Sequence, residues 1–167
     1  MTSWAFYALG RPVGQGNHRT SAAGHTYETT VGHRSWRNAV TAAGFGAGPC
    51  LDGPLVVRMI FSVPRPKSAR KADTIPCRAP DLSKLARAAE DAIGDAGLWA
   101  DDARVADYVR LAKVYPGLEW SSEALPVPGV LVAAQEIAPT GLVGTLLPLL
   151  QSARADAWGT YRAKGVA

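Results

Sequence analysis

Three aspartates bracket one segment of the chain. Asp81 opens the stretch PDLSKLARAAEDAIGDAGLWADD, and the adjacent pair Asp101 and Asp102 closes it. A hard divalent cation such as Mg²⁺ takes oxygen ligands, commonly one or two carboxylates completed by water and substrate phosphate. Unpaired carboxylates repel one another, and a bound cation offsets that repulsion. Directly upstream, residues 64–80 (PRPKSARKADTIPCRAP) carry Arg65, Lys67, Arg70, Lys71 and Arg78 against one acid, Asp73. Carboxylates beside a cationic loop suit a metal-dependent nuclease, in which the cations track the phosphate backbone and the metal activates water at the scissile phosphate. Plainer uses exist for the same residues. Asp81 stands where a helix N-cap belongs, an Asp-Asp pair before a strand is a common turn, and a charge run can be a solvated linker.

The elements that must position these groups follow from periodicity. Leu82, Leu85, Ala89, Ala92, Ile93 and Ala96 recur at three- and four-residue steps, which predicts a core-facing helix stopped by Gly97. Ser83, Arg87, Glu90 and Asp91 then share its solvent side. PLVVRMIFSVP predicts a strand with Leu55, Val57, Met59, Phe61 and Val63 on one face and Arg58 and Ser62 on the other. SWAFYALG, ARVADYVRLAKVY and GVLVAAQEI predict three more strands. A helix is expected from about Gly32 to Ala43, with Trp36 in the core, and a last one from Pro148 to Trp158 or beyond. The glycine-rich stretch between residues 10 and 32 predicts a long surface loop, and its histidines, His18, His25 and His33, have no ligand spacing and are expected at the surface. The order is strand, helix, strand, helix, strand, strand, helix: an α+β fold with a small mixed sheet packed by helices. If the central helix lies on the sheet and the next strand returns along it, Asp81, Asp101 and Asp102 can converge.

Composition bounds the rest. A chain of 167 residues with 47% hydrophobic and 19% charged residues fits one domain. The net charge of +4 and a pI near 9.3 favour a polyanionic partner without requiring one. Cys50 and Cys77 form neither a disulfide framework nor a zinc motif, so a reducing cytoplasm is expected. The longest apolar tract, residues 141–150, is half of the roughly 20 residues a membrane helix needs, so no membrane partner is expected.

The block PDLSKLARAAEDAIGDAGLWADDARV resembles the signature of the RusA-like endodeoxyribonucleases, the Holliday-junction resolvases of bacteriophages and prophages. GRPVGQGNHR and FSVPRPKSAR resemble segments of longer phage members. The resemblance runs from about Trp4 to Ile137, implying a nuclease domain over residues 1–137 and a helical C-terminal extension over 138–167. It implies cleavage of branched DNA by a symmetric dimer using Mg²⁺, with Mn²⁺ as a substitute. Asp81, Asp101 and Asp102 take the places of the family's catalytic, metal-binding aspartates. Arg87 falls on the basic residue implicated in DNA contact, with Lys84 and the loop cations Arg65, Lys67, Arg70 and Lys71 as further phosphate contacts. The match departs at Ser83, where the family has a second aspartate, and at Lys84, where it has asparagine. A hydroxyl is a poorer ligand for a hard cation, which leaves open a weakened enzyme or a DNA-binding protein of the same fold.

Overall fold

The computed structural model describes residues 2–16, 18–20, 26–28, 30–117, 123–137 and 146–164. Strands β1 (Ser3–Leu9), β4 (Leu55–Ser62), β5 (Val105–Val114) and β6 (Gly129–Glu136) form one sheet in the order β1-β6-β4-β5. β6 is antiparallel to both β1 and β4, whereas β4 and β5 run parallel, so the sheet is mixed as expected. A parallel pair cannot be closed by a hairpin and needs a crossover, which here is the cationic loop followed by helix α2 (Leu82–Asp95).

Helix α2 packs beside α1 (His33–Gly44) on one face of the sheet. Its Leu85, Ala89, Ala92 and Ile93 are buried with Trp4, Met59, Phe61 and Trp99, and each such large apolar side chain contributes about 1.5–3 kcal/mol. The helix ends in a Schellman turn. Gly97 adopts φ +71°, its N–H reaches the Gly94 carbonyl at 2.9 Å, and the Leu98 N–H reaches that of Ile93 at 3.3 Å. Leu98 and Trp99 then lock into the core, where the Trp4 indole donates to the Leu98 carbonyl at 3.2 Å and Trp99 bridges to Leu51.

Helix α3 (Leu147–Ala163) covers the opposite face, over β1 and β6. Leu150, Ala153 and Ala157 meet Val56, Ile60, Leu125 and Leu131 in a second apolar layer. This helix, within the segment read as a C-terminal extension, covers that face of the sheet. Because both layers press on it, β4 is buried on both sides. Ser62 is inside, accepting from the Leu125 N–H at 2.9 Å, and Arg58 pairs with the buried Glu123, which also takes Arg110 Nε at 2.5 Å.

Two local expectations change. The glycine-rich stretch is not loop throughout: β2 (His18–Thr20) and β3 (Thr26–Glu28) pair antiparallel, with Arg19 opposite Tyr27. Three-residue strands are too short for alternation to register. His33 is not at the surface but only 6% exposed, because it opens α1 where that helix meets the core. His25 lies outside the described residues. Trp36 is a core residue, as expected, and Trp99 is buried with it.

Candidate nucleic-acid interface

At the amino end of α2, Asp81 occupies the N-cap position in extended backbone, yet its carboxylate makes no capping bond and faces solvent. Its neighbour is the Lys84 ammonium, 3.6 Å away. Ser83, Lys84 and Arg87 are all exposed along the same helix, and Arg87 has no ion-pair partner among the described residues. The chain leading into Asp81 is held from β5, whose Lys113 ammonium donates to the carbonyls of Arg78 and Pro80 at 2.8 and 2.9 Å.

The cationic loop is ordered by its own contacts. Arg65 donates to the carbonyls of Arg70 and Lys71 at 2.7 and 3.4 Å, and its guanidinium lies 5.2 Å from the centre of the Tyr115 ring. Arg70 pairs with Asp73 at 3.3 Å, while Lys67 and Lys71 are exposed.

Beyond the carboxyl end of α2, Asp101 and Asp102 open a single 3-10 turn, Asp102–Arg104, that feeds β5. Asp101 accepts from the Ala103 N–H at 2.8 Å, and Arg104 pairs with Asp52 at 2.8 Å. Both aspartates are exposed. Nearby, the Tyr108 hydroxyl donates to Glu90. Burial, then that bond, then the charges of Glu90 and Asp102 hold the phenol far above its ordinary value. Asp91 and Asp95 are taken by other partners: Gln15 donates to Asp91 at 3.2 Å, and Arg37 donates to Asp95 at 2.6 Å.

The two ends of the helix are far apart. Fourteen helical residues at 1.5 Å rise span about 20 Å. β5 begins next to Asp102 and ends next to Pro80, so it separates the same two points from the other side. Among the described residues no group of three or more carboxylates, histidines or cysteines is poised to hold a metal. The convergence of Asp81 with Asp101 and Asp102 therefore does not occur within one chain.

A large groove lies at the amino end of α2, lined by Arg11, Arg65, Asp81 and Lys84 together with apolar residues. Sequence reasoning missed Arg11, which belongs to the segment leaving β1 and lines the groove where the Gln15 N–H binds the Lys84 carbonyl at 3.0 Å. The signal available was Gly14, where a Cβ would stand 2.9 Å from Lys84 Cβ.

Exposed cations on the loop and helix of the β-α-β crossover make a surface suited to a phosphate backbone. The family model of endodeoxyribonuclease RusA matches residues 10–119, and the chain belongs to that family. A search of curated proteins gives no match. Membership makes the protein a junction-resolving endodeoxyribonuclease type that binds branched DNA, and the nucleases of this family depend on a divalent metal. Among the described residues, Asp81 and the Asp101–Asp102 pair do not come together to fit such an ion, since they lie beyond opposite ends of α2.

Proposed function

We propose that the protein is a Mg²⁺-dependent endonuclease selective for branched DNA, four-way junctions above all, acting as a symmetric dimer in the cytoplasm of a bacterial host. Mn²⁺ substitutes for Mg²⁺, and hydrolysis leaves 5′-phosphate and 3′-hydroxyl ends. The observation that carries the reading is the family match together with the position of the acids beyond both ends of one helix whose outer face bears exposed cations. Resolution needs two cuts on opposing strands, and a two-fold dimer supplies two symmetric sites.

The placement of the aspartates supports the same dimer. β5 is an edge strand of ten residues, with Val109 exposed on it. A second copy paired antiparallel along that edge would bring its own Asp101 and Asp102 towards Asp81, because β5 starts at one of these points and ends at the other. Asp81 of one protomer with the partner's Asp101 and Asp102 is then the set that holds the ion. Arg87, Lys84, Arg65, Lys67, Arg70 and Lys71 grip phosphates, and selectivity comes from DNA shape.

The test is cleavage of a synthetic four-way junction with linear duplex as control, by the parent and by Asp102→Asn. Junction-selective cutting by the parent, lost in the variant with binding kept, supports the reading, and cutting by the variant at the parental rate refutes it. Ser83 favours a second reading, a DNA-binding protein without catalysis, because an exposed hydroxyl stands where the family signature has a carboxylate. Tight junction binding with no cleavage in Mg²⁺ or Mn²⁺ would select it.

A further inference from the structure

β4 ends at Ser62 and α2 begins at Leu82, and outside that strand end lies a groove of about 1040 Å³. β4 and β5 are the sheet's one parallel pair, and in parallel α/β sheets ligands bind in the crevice outside the carboxyl ends of the strands. One wall is the segment from Gly10 to Gly16, and the other is the start of the cationic loop. α1 contributes Ser35, Trp36 and Ala39, and the first turn of α2 closes one end. The near wall is set by Gly14, since any side chain there would collide with Lys84.

The lining has two chemistries. Val13 and Ala39, half-buried above the core residues Trp36 and Val63, make an apolar wall, and Arg11, Arg65 and Lys84 oppose the single acid Asp81. Arg65 is fixed by the carbonyls it binds and by the Tyr115 ring, so its charge is held in position before any ligand arrives. Val31, 95% exposed, stands on the lining as well. Tracking a duplex backbone needs cations on an open surface and has no use for apolar depth. An apolar ligand has no use for three cations. A nucleotide whose base has left the stack has both a flat apolar body and an anionic link, and the volume has room for a dinucleotide step.

We infer that this groove receives an unstacked nucleotide of the bound strand, its base against Val13, Val31 and Ala39 and its phosphates against Arg11, Arg65 and Lys84. The inference rests on the endonuclease reading and adds a source of selectivity to it. Unstacking a base is cheapest where pairing is already interrupted, so the groove is filled readily at a branch point and only at a cost on intact duplex.

The experiment measures binding of the dinucleotide pTpT, and of its abasic analogue with the same phosphates, to the full chain by calorimetry. The parent should prefer pTpT by roughly tenfold or more, the size of one base stacked on a protein surface. Ser35→Trp, at an exposed position of α1, should fill the groove and abolish the preference while melting like the parent. Ala39→Leu serves the same purpose with a smaller insertion should the tryptophan perturb folding. Equal affinity for pTpT and the abasic analogue, or a preference untouched by both variants, overturns the proposal. With a junction carrying 2-aminopurine at the crossover, fluorescence should rise on binding the parent and not on binding Ser35→Trp. Junction cleavage without any base preference keeps the nuclease and removes the groove. A base preference without junction cleavage keeps the groove and removes the nuclease.

Discussion

Mixing two inactive variants should restore part of the activity. In one protomer Asp81 and the Asp101–Asp102 pair lie beyond opposite ends of α2, whose fourteen residues span about 20 Å. Two oxygens bound to one Mg²⁺ at about 2.1 Å lie no more than about 4 Å apart, and among the described residues of one chain these aspartates do not gather into such a group. Asp81→Asn and Asp102→Asn should therefore each be inactive alone, because each homodimer damages both shared sites. Refolded or exchanged together in equal amounts, about half of the dimers carry one variant of each kind. In these, the intact Asp81 of one chain faces the intact Asp102 of the other, while the second site is damaged twice. The mixture should recover about a quarter of the parental sites. Those sites sit one to a dimer, so the product from a cruciform plasmid should be nicked circles rather than linear molecules. Exchange is verified by native mass spectrometry. A mixture that contains heterodimers yet cuts no faster than either variant alone refutes the shared site, and recovery with linear product refutes its count.

Neutralising Arg65, Lys67, Arg70 and Lys71 to Gln together should flatten the log-log salt dependence of junction binding by up to about 3.6, since each phosphate contact contributes about 0.9; an unchanged slope makes the loop a linker. Ser83→Asp places a further carboxylate one residue beyond Leu82 on the exposed start of α2 and should lower the Mg²⁺ concentration for half-maximal cleavage, with stability changed by less than about 0.5 kcal/mol. An equal or higher requirement, with the melt preserved, means that Ser83 does not face the ion. Glu123→Gln should cost about 3 kcal/mol, near the low end for breaking a buried pair because Arg110 is 45% exposed and can turn to water. That corresponds to a fall in Tm of about 6–12 °C, and a loss below 2 °C would show that Arg58 does not depend on Glu123.

Much of the frame was legible as periodicity. Leu85, Ala89, Ala92 and Ile93 are separated by helical steps, and Gly97 takes the positive φ that its place after the last turn predicts. β4 is legible for the same reason, its Leu55, Val57, Met59 and Phe61 all falling inside. The family could be read from the block between Asp81 and Val105 because residue type and spacing there are local properties of the chain. The β2–β3 pair was not legible, since three residues are less than the alternation needed to separate a strand from a loop. Arg58 read as a polar face of β4, whereas its partner Glu123 lies 65 residues away and is brought to it by the loop before β6.

What the sequence by itself determined is the inventory: a cationic loop, a helix of known length, acids before and after it, and a serine where a carboxylate was expected. What only the tertiary structure decided is which of these meet. Five residues follow α2 before Asp101, enough in extended chain to carry it back along most of the helix. The Schellman turn at Gly97 and the pairing of Trp99 with Leu51 prevent that return, and Lys113 anchors Pro80 at the far end of β5. The groove is likewise assembled from four separate stretches of chain that share no local pattern. Spacing records the neighbours a residue has along the chain, whereas the approach of distant groups depends on how turns and buried side chains direct the backbone between them.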